Sequence, residues 1–425
     1  MNKFFTYKNI SIIIISFTIL MGVWIKTDHL HNLQEDTASK QVEKVEAATL
    51  VSQDEEMRAV WISYLDFQNA GVSKMSEAKF HKYINTMFDN CVKMHMNTVI
   101  VQVRPFSDAM YPSSYFPWSV IASGKQGKSP GYDPLAYMVT AAHTRGLQIE
   151  AWINPYRVTL ATTKYKSLSG KNPGKKWKNR NVLYMSGQYY YNPAKEEVRT
   201  LIVNGIKEIV DNYEVDGIHF DDYFYPCLGG NYKKNFDAPE YKAYVKRCKS
   251  NDEDYRSIEN WRRDNVNKLL LAVYQTVKEK NENIRFGVSP AGNINNLYAK
   301  DRYYCDVRKW MSQEGYVDYV CPQIYWSFTQ KVCPYQKTVE RWAALKKNNK
   351  VKLYIGLAAY RAGASYREAV AMGDVGWSKS RNVLKRQVAF NRKKGKVDGF
   401  MLFRYQNLLG KKTKTEMKNL MKILK

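Results

Sequence analysis

Eight short β-rich runs recur along this chain with helical patterns between them, and that alternation leaves few folds open. The runs are Arg58 to Tyr64, Asn97 to Arg104, Leu147 to Asn154, Val215 to Asp221, Ile284 to Ser289, Val317 to Tyr325, Val351 to Ala358 and Val397 to Tyr405. Between them Phe80, Ile84, Met87, Phe88 and Cys91 recur on one helical face, as do Val198, Leu201, Ile202, Ile209 and Val210. Asp133-Pro134 and Asn192-Pro193 each offer an N-cap followed by Pro at the first helical position, and Gly146 and Gly395 close helices. A final helix carries Met417, Leu420, Met421 and Leu424. Eight β-then-α units predict an α/β fold, a parallel (β/α)8 or TIM barrel.

Joint lengths agree with that topology. Helix-to-strand joints are a few residues long, at His95 to Met96, Gly146, Glu214 and Gly315, whereas strand-to-helix joints are long, above all the second, third and fourth. Residues 57–425 therefore read as one barrel larger than the plain form of about 250 residues, with its elaboration at the C-terminal face. That face is where barrels carry their chemistry.

Ahead of the barrel, Lys3 and Lys8 precede an apolar run from Ile10 to Ile25, which is short for a membrane span of about 20 residues and suits a secretory signal. Residues 1–27 are expected to be a signal peptide or a short membrane anchor, and residues 28–56 a polar linker. The protein is then exported, to the cell surface or beyond it. A formal charge of +26 suits attraction to cell-wall anions, because the basic residues are spread along the chain and no nucleic-acid motif accompanies them. No stable protein partner is implied. The six cysteines show no Cys-x-x-Cys spacing, which argues against zinc and redox motifs. Cys91 and Cys321 fall in apolar segments and read as free core residues, while others have the option of pairing in an oxidising compartment.

The stretch Val215 to Pro226 concentrates the chemistry: a short apolar strand runs into Asp221 and Asp222, three aromatic residues and a Pro. An Asp pair there is often only a turn or a helix cap. Other predicted strand ends are polar and aromatic too: Arg104 and Asp108 after strand two, Trp152, Asn154 and Arg157 at strand three, Gln323, Tyr325 and Trp326 at strand six, and Arg404 at strand eight. Together they describe an aromatic-walled site for a polyol, and the 32 Tyr residues point weakly the same way. Of six His residues only His219 sits at a strand end, so neither a metal nor another cofactor is expected, and a Gly-x-Ser-x-Gly elbow is absent. Glycoside cleavage needs two carboxyl groups, which different strands can supply. Alternation along strand four puts His219, Asp221 and Tyr223 on one side and Phe220 and Asp222 on the other, making Asp221 the leading carboxylate.

At these residues the chain resembles glycosyl-hydrolase-like family 10. The similar segments include Val101 to Pro105, Pro130 to Leu135, Ala151 to Arg157, Val215 to Pro226, Trp261 to Asn267, Phe286 to Pro290 and Pro322 to Trp326, spread in order from Arg58 to about Arg361. The resemblance implies a (β/α)8 barrel in an exported bacterial protein, some members of the family being similar to hydrolases of peptidoglycan strands stripped of stem peptides. The chain is more distantly similar to chitinase-like barrels, whose fourth strand carries Asp-Gly-x-Asp-x-Asp-x-Glu. Here His219 stands where the first inner Asp would be and Tyr223 where the acid Glu would be, while Asp221 keeps the second Asp. Amylase-like barrels likewise end a fourth-strand pattern in a nucleophilic Asp.

The expectation is a glycoside hydrolase acting on a bacterial cell-wall glycan, with Asp221 as nucleophile or charge stabiliser and Asp222 or Asp108 as acid; Glu150 is a further candidate with an equally good structural role. Arg104, Asn154, Arg157, His219, Tyr223, Gln323, Tyr325 and Arg404 would bind the sugar, and Trp152 and Trp326 would pack on ring faces. The alternative is a non-catalytic carbohydrate-binding barrel, favoured by the missing Glu at Tyr223.

Overall fold

A computed structural model describes residues 56–229 and 235–424. The expectations for residues 1–27 and, apart from Glu56, for 28–56 fall outside them. Ten strands lie among the described residues: β1 (Met57–Ile62), β2 (Thr98–Arg104), β3 (Gln148–Ile153), β4 (Val182–Met185), β5 (Gln188–Tyr191), β6 (Gly217–Phe220), β7 (Arg285–Val288), β8 (Tyr319–Val320), β9 (Lys352–Leu357) and β10 (Gly399–Phe403). All but β4 and β5 close into a parallel barrel in the order β1-β10-β9-β8-β7-β6-β3-β2, as the alternation predicted. No helix among the described residues is long and apolar enough to cross a membrane.

Each predicted run holds one barrel strand, although β8 shrinks to two residues. Pro322 lacks the N–H a ladder requires, so regular pairing lapses and resumes only as single bridges from Gln323 to Ala291 and Gly356. Helix α1 (Glu77–Lys93) buries Phe80, Ile84, Met87, Phe88 and Cys91, the predicted face. Helix α2 (Pro134–His143) starts on the predicted cap, Asp133 accepting from the N–H groups of Leu135 and Ala136. Asn192 departs from expectation: its side chain accepts from Ala194 N at 3.0 Å in a turn, and α3 (Glu196–Asn212) begins three residues later than the predicted N1 position. The antiparallel hairpin of β4 and β5 was not foreseen, because two four-residue strands inside a loop show too little periodicity. None of the six cysteines is bridged.

Large and small residues interdigitate inside the barrel. Met57, Ala59, Trp61, Ile100, Trp152, Tyr319, Cys321, Tyr354 and Met401 form an inner cluster. Around it, glycines leave room for long side chains from other strands: a Cβ at Gly217 would meet Glu150 Cδ at 2.7 Å, one at Gly287 would run into the Tyr319 ring, and one at Gly356 would meet Trp61 at 3.0 Å. Glu150, fully buried, accepts from Arg285 Nε at 2.9 Å and from the Tyr319 hydroxyl. Glu150 is thus tied into the barrel interior rather than presented to the opening.

The Gly287 contact gives a direct test. Gly287→Ala is expected to destabilise the barrel by about 1–3 kcal/mol, the usual cost of overpacking, seen as a lower denaturation midpoint. Unchanged stability would mean that the Tyr319 ring does not lie over β7 as described.

Candidate active site

The C-terminal strand ends surround a cavity of about 470 Å³, lined by Trp61, Gln102, Trp152, Arg157, Asp221, Asp222, Tyr223, Gln323, Tyr325, Phe403 and Arg404, among others. β6 ends at Phe220, and the chain then turns because Asp221 Oδ1 accepts from Tyr223 N at 3.1 Å. Strand alternation therefore stops before the Asp pair. The expectation that Asp222 faces away from Asp221 fails, and both carboxyls line the same cavity.

Asp221 is buried, and its other oxygen accepts from Trp152 Nε1 at 3.0 Å. Burial pushes its pKa well above the usual carboxylate range, the Asp222 charge pushes it further, and Arg157 and the two N–H donors pull it back. Asp222, half-buried, is also raised by burial, against a hydrogen bond from the Gln323 side chain. Two carboxyls desolvated side by side do not both ionise easily, so the pair retains a proton at higher pH than an ordinary carboxyl. The Asp222 charge by itself would leave that proton on Asp221. The fixed N–H donors on both Asp221 oxygens oppose this by binding the anion, but they do not outweigh burial and the Asp222 charge, and Asp221 stays raised.

Arg157 is the cation beside this pair. Its guanidinium lies 4.0 Å over the Tyr223 ring and 4.8 Å over Phe106, with Nε donating to Pro105 O at 3.4 Å. Arg404 also lines the cavity, but its Nη1 is 2.7 Å from Asp66 Oδ1, which neutralises it. Gln323 donates to Ser289 O at 3.0 Å, and Tyr325 packs edge-on to Tyr360. Tyr223, 40% exposed, forms the rim.

Five sequence candidates lie elsewhere. A β-bulge between Gln102 and Arg104 pairs Arg104 with outward-facing Ile153, so Arg104 leaves the barrel axis and lies over Phe116 at 4.3 Å, against Gly205 of α3. His219 is fully buried below the cavity, with Nε2 accepting from Trp61 Nε1 at 3.1 Å and Nδ1 2.7 Å from the Tyr319 hydroxyl. Desolvation lowers its pKa to about 3, so it is neutral, and both nitrogens are occupied. Asn154 is buried under Gln102, whose Nε2 donates to its Oδ1 at 2.8 Å. Asp108 is buried in the loop after β2, accepting from Gln126 Nε2 at 2.9 Å, and does not line the cavity. Trp326 falls on the outer phase after Tyr325 and packs on Gly292. Trp61, Gln102, Ser289, Tyr360 and Phe403, which are not among the sequence candidates, also line the cavity. Inward phase on β1, β2 and β10 identifies Trp61, Gln102 and Phe403; Ser289 and Tyr360 lie just past the ends of β7 and β9, where strand phase no longer applies.

A family model described as glycosyl hydrolase-like 10 matches residues 56–372. The chain is 39% identical over 373 residues to glycosyl hydrolase YngK of Bacillus subtilis (strain 168), covering 84% of this chain and 69% of that protein. It is 32% identical over 386 residues to glycosyl hydrolase DigH of Escherichia coli (strain K12), covering 84% of each. In fold it is similar to the glycoside hydrolase domain of PgaB (BpsB) from Bordetella bronchiseptica, with TM-score 0.52, 11% identity and coverage of 86% of this chain and 99% of that one. It is also similar in fold to the catalytic domain of β-amylase from Paenibacillus polymyxa, with TM-score 0.54, 11% identity and coverage of 88% and 99%.

Raised carboxyls keep protons in the folded chain where the unfolded chain has lost them, so they cost stability as pH climbs from about 4 through the raised values. Asp221→Asn removes one of them. Its stability relative to the parent should therefore improve between pH 4 and pH 8 in denaturation midpoints taken at both ends. A constant difference would mean that Asp221 is not raised.

Proposed function

The chain belongs to the glycosyl hydrolase-like 10 family, and from that footing we propose that it hydrolyses O-glycosidic bonds in a bacterial cell-wall glycan, peptidoglycan strands, outside the cytoplasmic membrane. The observation that carries this reading is the Asp221 and Asp222 pair, raised by burial and sharing one aromatic-walled cavity. In this scheme the proton shared by the pair passes through Asp222 to the glycosidic oxygen as the bond to the anomeric carbon breaks. Asp221, whose anion accepts from Trp152 Nε1 and Tyr223 N once the proton has left the pair, faces the developing cation. Water then bonds to the anomeric carbon and returns a proton to Asp222.

Arg157 supports an acidic substrate, since it is the lining cation that Asp66 leaves unpaired and its flat fork suits a sugar carboxylate. Trp152 has its indole N–H engaged by Asp221, so it is assigned to holding that carboxylate as well as walling the sugar. Tyr223 stands where chitinase-like barrels have their acid Glu, and Asp222 is the remaining carboxyl among the lining residues. Export rests on Lys3, Lys8 and the Ile10 to Ile25 run.

Incubation with peptide-free and intact peptidoglycan, with mass identification of soluble fragments, tests the reading. Fragments from the peptide-free strands are expected, and Asp221→Asn should lower turnover about a hundredfold or more while leaving strand binding intact. Binding without fragments would favour the non-catalytic barrel. Near-parental turnover by Asp221→Asn would remove Asp221 from the mechanism. Cell fractionation checks location: full-length protein in the cytosol of its host would exclude peptidoglycan as substrate.

A further inference from the structure

Between Ala151 and Lys195 the chain carries nine Lys and Arg residues and no Asp or Glu. Carboxylates number 40 in the whole sequence, so this stretch is a local bias on top of the general basicity. It is the excursion that leaves β3 and returns in α3, which places it on the face that holds the cavity. It is also a built surface. Arg157 bridges to Tyr190 in β5, and Val158 N donates to Tyr189 O at 2.9 Å. Buried Asn172 donates to Ser107 O at 2.9 Å, and Ser169 N donates to Gln126 Oε1 at 2.9 Å, pinning the excursion to the loop after β2.

On this support Lys164, Lys166, Lys171, Lys176 and Lys178 stand exposed, and none has an acidic partner among the described residues. Tyr184, 56% exposed, lies 4.9 Å from Tyr189, whose ring is 4.3 Å from Tyr165. Unpaired ammonium groups interleaved with rings suit a strand that presents both negative charge and sugar faces. The inner end of the excursion is Arg157, inside the cavity.

We propose that this excursion is an extended binding surface for a glycan strand bearing carboxylates, and that it feeds the strand to the cavity by way of Arg157. The inference rests on the glycan-hydrolase reading and adds where the polymer lies and which charge it must carry. A glycan charged only on some of its sugars fits better than a nucleic acid. A phosphate at every unit would bring negative charge against Asp221 and Asp222, whereas intermittent carboxylates let neutral sugar pass the pair.

The test uses the whole protein and the variant Lys164→Gln/Lys166→Gln/Lys176→Gln/Lys178→Gln, all at exposed positions away from the cavity lining. The probes are peptide-free peptidoglycan strands, the same strands with their carboxyl groups reduced to alcohols, and single-stranded DNA. On carboxylated strands at low salt the variant should raise KM about tenfold, the low end of electrostatic steering, with kcat within about twofold of the parent. Its KM should also depend less on salt, and the two proteins should behave alike on reduced strands. Equal KM and equal salt dependence on carboxylated strands would overturn the proposal, as would a parent that treats both strands alike. Tighter binding of single-stranded DNA than of carboxylated strands would reassign the surface to nucleic acid. If the parent cleaves neither strand, the hydrolase reading fails, and the same comparison made by fluorescence anisotropy of labelled strands still decides the proposal.

Discussion

A carboxylate buried inside a barrel must be paired, and the interior of this protein is arranged around one, Glu150. Arg285 and Tyr319 both donate to it, from β7 and β8, while it stands on β3. The Tyr319 hydroxyl also meets His219 on β6, and His219 accepts from Trp61 on β1. The Trp61 N–H makes Nε2 the acceptor, which assigns the remaining proton of the neutral imidazole to Nδ1, donated to Tyr319. Five strands are thereby tied through one polar chain. Gly217 and Gly287 give Glu150 and the Tyr319 ring the space to take part.

The cavity inherits its geometry from that chain. Trp61 is both the last member of the network and part of the cavity wall. Trp152 stands two residues beyond Glu150 on β3, in the same inward phase, and donates to Asp221. A strand anchored at one end by an internal ion pair thus positions the donor that holds the candidate catalytic carboxylate. Rigid support of this kind keeps a site preorganised.

Above the barrel, the loops are organised by buried polar contacts of their own. Asp108 accepts from Gln126, and the Gln126 side chain in turn accepts from Ser169 N and Asn172 Nδ2. Burial alone raises Asp108, yet the group acts through this chain of partners on the shape of the excursion and not on the cavity. A raised carboxyl by itself is thus a poor guide to chemistry here, since Asp108 and Glu150 are raised by burial just as Asp221 and Asp222 are, and of the four only the last two line the cavity.

The sequence by itself determined the eight-fold alternation, the apolar faces of α1 and α3, the cap at Asp133, and Asp221 and Asp222 at a strand end beside aromatics. All of these are local: helix and strand periods, Pro and cap chemistry act over a few residues. Tertiary structure decided the rest. The bulge that turns Arg104 outward depends on its pairing with β3, and the burial of His219 depends on Trp61, 158 residues away in the chain. The Asp221 carboxylate capping its own turn brings Asp222 into the cavity, where strand alternation alone would have sent it away. Whether a polar side chain serves a ligand or the fold depends on which distant groups reach it first, and short-range patterns carry no record of that.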